Sequence, residues 1–100
     1  MVSITFTNRA IDDLDTMGEY HAHYSPVFAS QLQDSIIERI NTLKQFPEMG
    51  RIVPEFNRTY LRELIYKSYR IVYRIVDESR VDVITIQHSS RDMGERYFDV

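Results

Sequence analysis

Cationic and aromatic residues in the second half of the sequence have side chains suited to chemistry on a phosphate. Arg70 and Arg74 lie in an apolar run that is typical of a strand, and their spacing places both guanidinium groups on one face. His88 ends the next apolar run, and Arg91 and Tyr97 follow in the tail. An imidazole, a phenol and guanidinium groups near one sheet end supply the base, acid and fixed cations that metal-free RNA cleavage needs.

The same charges also have a purely structural interpretation. A two-residue turn at Lys67-Ser68 would place Glu63 opposite Val72, diagonal to both arginines. These side chains would then form a ladder of ion pairs on an exposed sheet face, and the strand-end imidazole would make a local hydrogen bond. Residue chemistry alone favours the ladder over catalysis and leaves both open.

Other catalytic and metal-binding motifs are missing from the sequence. It has no phosphate-binding glycine loop, no HExxH and no nucleophile elbow, and cysteine is absent. His21 and His23 stand two residues apart, so on a helix they face different directions and do not pair as metal ligands. Asp12, Asp13 and Asp15 are typical of a solvated helix start. We therefore expect no metal and no cofactor.

Composition limits the class of protein. The 100 residues are 43% hydrophobic and 27% charged, which suits one globular domain of residues 1–100 and excludes disorder. No apolar run is long enough to span a membrane, and the amino end is too polar for a secretory signal, so we expect a cytoplasmic protein. The net charge of -3 does not favour a general polyanion binder, although residues 58–74 carry five basic residues against one acidic residue.

Hydrophobic periodicity predicts a strand followed by a helix hairpin in the first half of the chain. Apolar and polar residues alternate over 2–6, as in a strand with one buried face. A first helix, capped by Thr7 or Asn8, is predicted to run to about Tyr24. A second helix, with a serine cap and a proline at its first position, is predicted over 25–46. The nearly direct connection makes the two helices antiparallel.

The second half is predicted to form an antiparallel meander. Residues 61–66, 69–76 and 81–88 are rich in β-branched and aromatic residues, and short polar turns connect them. The order β-α-α-β-β-β gives an α+β fold in which the helix hairpin covers one sheet face and the other face stays partly open. The long connection 47–59 is predicted to wrap against the body through its own apolar residues.

Four segments of the sequence resemble the RelE/ParE superfamily of bacterial type II toxins. The resemblance covers nearly the whole chain and implies a toxin that a cognate antitoxin neutralises by direct binding, in a hetero-oligomer. The segments are Pro47-x-x-Gly50-Arg51, Arg62-Glu63-Leu64, Tyr69-Arg70-Ile71-Val72-Tyr73-Arg74-Ile75 and Gln87-His88-Ser89-Ser90-Arg91-Asp92.

The superfamily implies two alternative targets. RelE-like members are ribosome-dependent, metal-independent endoribonucleases that cut mRNA, and ParE-like members inhibit DNA gyrase without established hydrolytic chemistry. For a nuclease, the resemblance implies that Arg70 binds the phosphate, with His88, Arg91 and Tyr97 as the other catalytic candidates. This chain lacks the extra lysines of the nucleases before the meander, and a net charge of -3 suits an RNA-walled site poorly. We therefore favour the ParE-like target and keep the nuclease as the alternative.

On the gyrase interpretation the cationic residues bind a partner, either the target or the antitoxin, through charge-assisted contacts. Arg70 is expected to face outward, so its replacement by alanine should leave the fold intact. The predicted binding residues are Arg62, Arg70, Arg74, Arg91, Arg96, Tyr97 and Phe98. The candidate apolar anchors for the antitoxin are Met49, Val53, Phe56 and Phe98.

Overall fold

A computed structural model describes residues 1–90. Its element order confirms the predicted α+β fold with two helices and a sheet. The elements are β1 (Ser3–Phe6), α1 (Asn8–Ala22), α2 (Pro26–Asn41), a 3-10 turn (Thr42–Lys44), β2 (Arg51–Ile52), β3 (Leu61–Tyr66), β4 (Tyr69–Ile75) and β5 (Arg80–His88).

Both helices begin where the sequence predicts. The Thr7 hydroxyl accepts a hydrogen bond from the Ala10 amide at 3.1 Å, and the Ser25 hydroxyl accepts one from the Phe28 amide at 3.2 Å. The ends differ from the prediction, because α1 stops at Ala22 and α2 at Asn41. Beyond α2 the chain tightens into the 3-10 turn, where the amide and the hydroxyl of Thr42 both donate to the Arg39 carbonyl at the helix end.

The sheet has the order β1-β5-β4-β3-β2. The antiparallel meander β3-β4-β5 is confirmed, and Glu63 lies opposite Val72 in the predicted register. Two pairings complete the sheet at its edges. Strand β1 runs parallel to β5, and the two-residue β2 pairs antiparallel with β3 inside the connection predicted to wrap against the body.

The helix hairpin and one sheet face enclose the larger hydrophobic core. Apolar residues at helical spacing on α1 and α2 meet alternate residues of the strands, as their periodicity predicts. Its buried members are Val2, Ala10, Met17, Leu32, Ile36, Ile40, Leu43, Leu64, Ile71, Tyr73, Val81, Val83 and Ile86.

The second sheet face is covered by the connection that follows β2. Val53 is fully buried against Leu61 and Val72, and Phe56 and Ile84 pack on the same cluster. The Val53 amide also donates a hydrogen bond to the Leu61 carbonyl at 3.0 Å. The prediction that this connection wraps against the body is confirmed. The expectation of a partly open face is wrong around this cluster, because these apolar residues close over it.

Helix α1 takes the place of a neighbouring strand along the far part of β5. Strand β1 pairs with β5 only as far as Val83, and beyond it the Asp13 carboxylate accepts the Ile86 amide at 3.0 Å and the Thr85 hydroxyl. The sequence indicated that Asp13 belongs to a solvated helix start, and this expectation is wrong, because its carboxylate is bound to β5. It satisfies a strand-edge donor that would otherwise have no partner there. No helix within residues 1–90 is long and apolar enough to cross a membrane.

Candidate functional site

A network of charged side chains lies on the second sheet face. Residues 53–60, which connect β2 to β3 and are here called the covering segment, lie over it. Glu63 is buried and accepts hydrogen bonds from Arg51 Nε at 2.5 Å and Arg70 Nε at 2.6 Å. The remaining two nitrogens of Arg70 donate to the two carboxylate oxygens of Glu55, at 2.7 and 2.8 Å. Two guanidinium groups and two carboxylates thus balance in charge at this site.

The strand register brings these groups together. Arg51 lies opposite Glu63 across β2 and β3, and Glu63 lies diagonal to Arg70 across β3 and β4. Glu55 comes from the covering segment, which Val53 ties to the sheet. The predicted pairing of Glu63 with Arg70 is confirmed, but both of these side chains are buried where an exposed ladder was expected.

The ionisation of the network follows from these contacts. Hydrogen bonds from Arg70 lower the pKa of Glu55, and the charge of Arg51 adds to this effect. The bonds to Glu55, together with those to Glu63, raise the pKa of Arg70 further above its already high value. Glu55 and Arg70 therefore stay charged at neutral pH, and each guanidinium of the network is held by a carboxylate.

The expectation that Arg70 faces outward is wrong. Its side chain is only 9% exposed, because Glu63 lies beneath it and Glu55 closes over it. The prediction that replacement of Arg70 by alanine leaves the fold intact rested on that outward orientation, so it has lost its basis. Removal of the guanidinium would leave the buried Glu63 with one of its two partners, which destabilises a protein interior.

Arg62 and Arg74, the other two predicted binding residues in β3 and β4, differ in availability. Arg62 is half-buried, and its Nε and Nη1 donate to backbone carbonyls, including that of Gly50 at 3.0 Å. Arg74 is exposed, with its guanidinium 5.7 Å from the centre of the Tyr60 ring. Arg74 therefore presents its charge to solvent from a position fixed by an aromatic neighbour.

A hydrogen-bonded tyrosine explains the spacing of the Pro47 and Gly50 segment. The buried Tyr73 hydroxyl donates to the Pro47 carbonyl at 2.7 Å and accepts the Gly50 amide at 3.0 Å. A Cβ at position 50 would lie 2.6 Å from this hydroxyl and 2.7 Å from the Glu63 carbonyl oxygen, so only glycine fits. The segment fixes the start of β2 and thereby the position of Arg51.

His88 and Arg70 lie on opposite faces of the sheet. His88 is paired with Tyr69, whose ring is 5.6 Å away and packs toward the helix side. Arg70, one residue later, is paired with Gln87 and lies on the covered face. His88 also makes the predicted local hydrogen bond, at 2.8 Å to the Ser90 hydroxyl. The structure therefore separates these two candidate catalytic groups.

The tail candidates are not placed. Arg91, Arg96, Tyr97 and Phe98 lie outside the described residues. Within residues 1–90, no group of three or more histidine, cysteine, aspartate or glutamate side chains could hold a metal ion.

An open groove of about 630 Å³ separates the helix hairpin from the β4–β5 end of the sheet. On its wall the Nε2 atom of the half-buried His21 lies 2.8 Å from the Tyr69 hydroxyl, within hydrogen-bond distance. Burial raises the pKa of Tyr69, so the phenol stays protonated and can donate to the imidazole. Sequence spacing gave no signal for this pair, which joins residues 48 positions apart.

Exposed apolar side chains cluster at the turn between the helices, beside this groove. Tyr20, Tyr24, Val27 and Phe28, here called the hairpin patch, are between 40% and 75% exposed. Surface patches of this kind mark sites of protein association. Among the anchors predicted from the sequence, Met49 is exposed, Phe56 is half-buried and Val53 is fully buried. Val53 is thus unavailable to a partner.

Comparison with known proteins agrees with this fold. The chain is 26% identical to Toxin RelE2 of Caulobacter vibrioides over 91 residues, which cover 91% of this chain and 99% of that protein. The structure resembles the chromosomal ParDE toxin–antitoxin system from P. aeruginosa, with a TM-score of 0.74, 21% identity and coverage of 88% of this chain and 96% of that one.

A second solved structure is also similar. The toxin–antitoxin complex RelBE2 from Mycobacterium tuberculosis matches with a TM-score of 0.61 and 22% identity, over 87% of this chain and 96% of that one. Residues 4–93 match the family described as the ParE toxin of the type II toxin–antitoxin system, parDE. The chain therefore belongs to the ParE toxin family, within the RelE/ParE superfamily of type II toxins.

Proposed function

We propose that this toxin acts in the cytoplasm by inhibiting DNA gyrase, and that a cognate antitoxin neutralises it by direct binding. The observation that carries the choice of target is the state of Arg70. A ribonuclease of this superfamily would use this arginine to hold a phosphate, but here the guanidinium is enclosed by Glu55 and Glu63. A neutralised cation adds little to the stabilisation of a phosphorane.

The placement of His88 supports the same choice. General acid–base catalysis requires the proton-transferring group and the charge-stabilising group to reach the same phosphate. His88 faces the helix side with Tyr69, whereas Arg70 lies under the covering segment on the other face. These two groups do not converge on one substrate atom in this arrangement.

The target-binding surface that we propose centres on the exposed end of β4. Arg74 stands opposite Asp82 on β5. Its side chain is exposed, so it offers a guanidinium group at the surface. Such a cation steers and orients an acidic partner surface. The proposed set also contains Arg62, Arg70, Arg91, Arg96, Tyr97 and Phe98.

The hairpin patch is the surface we propose for the antitoxin. Its apolar side chains are exposed, and an amphipathic antitoxin helix or strand would bury them. Both similar structures are toxin–antitoxin systems, which supports an antitoxin partner for this chain. Replacement of Tyr24 by serine should therefore weaken capture by the antitoxin encoded beside this toxin.

Two assays on the purified toxin test the choice of target. One measures supercoiling of relaxed plasmid by gyrase, and the other measures cleavage of mRNA on programmed ribosomes. We expect inhibition in the first assay and intact message in the second. Cleavage of message without an effect on gyrase would overturn the proposal in favour of the ribonuclease.

Arg74→Ala tests the proposed surface. The side chain is exposed, so the variant should unfold at the same denaturant concentration as the wild type while inhibiting gyrase about tenfold less, the loss expected for one charge-assisted contact. Lys44→Ala, which removes another exposed cation, is the matched control and should inhibit gyrase as the wild type does. Equal inhibition by both variants would exclude Arg74 from the surface.

A further inference from the structure

Lys67 has an unusual backbone conformation for its residue type. It is the first of the two residues that connect β3 to β4, and its φ angle is 51°. The favoured two-residue hairpin turns need a positive φ at this position, which glycine, asparagine and aspartate adopt at the least cost. Asn57, the other described non-glycine residue with a positive φ, follows this preference, whereas Lys67 does not. A lysine here costs folding free energy, which indicates a use for its side chain.

The Lys67 ammonium group is held over aromatic rings beside the groove between the helix hairpin and the sheet. Its Nζ lies 5.5 Å from the centre of the Phe28 ring and 5.9 Å from the centre of the Tyr66 ring. The Arg39 guanidinium lies 5.3 Å from the centre of the same Tyr66 ring. Such contacts position a cation through its charge and leave its N–H groups available to an anion.

No carboxylate within residues 1–90 forms an ion pair with this ammonium group. Of the described residues that line the groove, Arg9 and Lys67 are basic and Asp13 is acidic. The Asp13 carboxylate already accepts two hydrogen bonds from β5. The groove is therefore a cationic surface in a chain whose net charge is -3, and it is complementary to an acidic partner.

We propose that the groove receives an acidic segment of the antitoxin, and that Lys67 binds an aspartate or glutamate carboxylate of that segment. This inference rests on the proposed function, in which the antitoxin covers the hairpin patch. Phe28 joins the two surfaces, because its ring is 40% exposed in the patch and also lies against the Lys67 ammonium group. An apolar antitoxin side chain on Phe28 would exclude water from the neighbouring ion pair and strengthen it.

Lys67→Asn tests the proposal, because asparagine tolerates the positive φ and removes the cation. We expect the variant to bind the antitoxin encoded beside this toxin about tenfold more weakly than the wild type, the loss expected for one charge-assisted contact, measured by surface plasmon resonance at low salt. It should unfold at a urea concentration no lower than the wild type does. Lys44→Asn, which removes an exposed cation elsewhere, is the matched control and should bind as the wild type does.

Two further arms separate the charge of Lys67 from its shape. Lys67→Arg keeps the cation and should bind the antitoxin within about twofold of the wild type. An increase in salt from about 0.05 M to about 0.5 M should narrow the difference between the wild type and Lys67→Asn, because salt screens the ion pair that only the wild type makes. An equal loss of affinity in Lys67→Arg and Lys67→Asn would overturn the assignment of a carboxylate ligand.

Tyr24→Ser separates this proposal from the function on which it rests. Weaker capture by Tyr24→Ser with unchanged capture by Lys67→Asn would keep the antitoxin on the hairpin patch and overturn the role of Lys67. Unchanged capture by both variants would overturn both proposals. If Lys67→Asn unfolds more readily than the wild type, the lysine stabilises the turn itself, and the use inferred from its backbone conformation is wrong.

Discussion

The two faces of the sheet are buried by different physical means. The helix side is closed by apolar side chains such as Ile36, Ile40 and Ile71, each fully buried. The opposite side has a small apolar cluster around Val53 next to a charged network centred on Glu63, which is 1% exposed. The first face gains stability from the area removed from water, whereas the second depends on every charge keeping its partner.

This difference has a consequence for function. An apolar core tolerates changes of shape as long as its volume is kept, but a buried charge network depends on each individual group. Glu55 illustrates this dependence, because its carboxylate accepts hydrogen bonds from both terminal nitrogens of Arg70.

The largest expected effect is on the charged face. Glu63→Ala removes the buried carboxylate that accepts the Nε groups of both Arg51 and Arg70, and we expect a loss of about 3–5 kcal/mol in the free energy of unfolding, measured with urea. Ile36→Ala provides the comparison on the helix side, where a cavity costs about 2–5 kcal/mol.

The double variant Glu63→Ala with Arg70→Met distinguishes the two mechanisms. Removal of both charges should recover a large part of the loss, because no buried guanidinium is then left with an Nε–H that has lost its acceptor. No recovery would mean that Glu63 contributes through packing, as Ile36 does, and the contrast between the faces would fail.

A smaller effect is expected at the polar group within the helix-side core. Tyr73→Phe removes the hydroxyl that binds the Pro47 carbonyl and the Gly50 amide, at a cost of about 1–3 kcal/mol. Exchange of the Gly50 amide hydrogen should become faster than in the wild type, as NMR can measure. Unchanged exchange would show that the segment before β2 is held without this tyrosine.

The smallest effect is expected at Glu55, whose side chain is partly exposed. Glu55→Gln should lower the free energy of unfolding at pH 7 by up to about 1 kcal/mol, because solvent screens the pair. Hydrogen bonds from Arg70 lower the pKa of Glu55 below its ordinary 4.5 in the folded protein. Its contribution is therefore complete above pH 4.5 and is lost as the pH falls through the folded-state pKa.

The wild type and Glu55→Gln should consequently converge in stability as the solution is acidified. Urea unfolding at a series of pH values between neutrality and the acid range measures this convergence. A difference that stays constant over the whole range would show that the carboxylate charge is not what stabilises the contact.

The sequence predicted the elements and one interior face well. Period-two and helical spacing fixed the strands and the hairpin, and the short turn at Lys67-Ser68 fixed the register of Glu63 opposite Val72. These features depend on contacts between residues close in the chain, where spacing alone determines which side chains share a face. The four family segments likewise indicated a type II toxin, which the family match over residues 4–93 confirms.

Only the tertiary structure decided which charges are available. Arg70 and Arg74 have equivalent positions in the strand pattern, yet one is buried by Glu55 and the other is exposed. The tertiary structure also decided the role of Asp13, whose carboxylate accepts the Ile86 amide, 73 positions away in the chain. Burial of a polar group depends on which distant segment folds over it, and local spacing carries no record of that long-range contact.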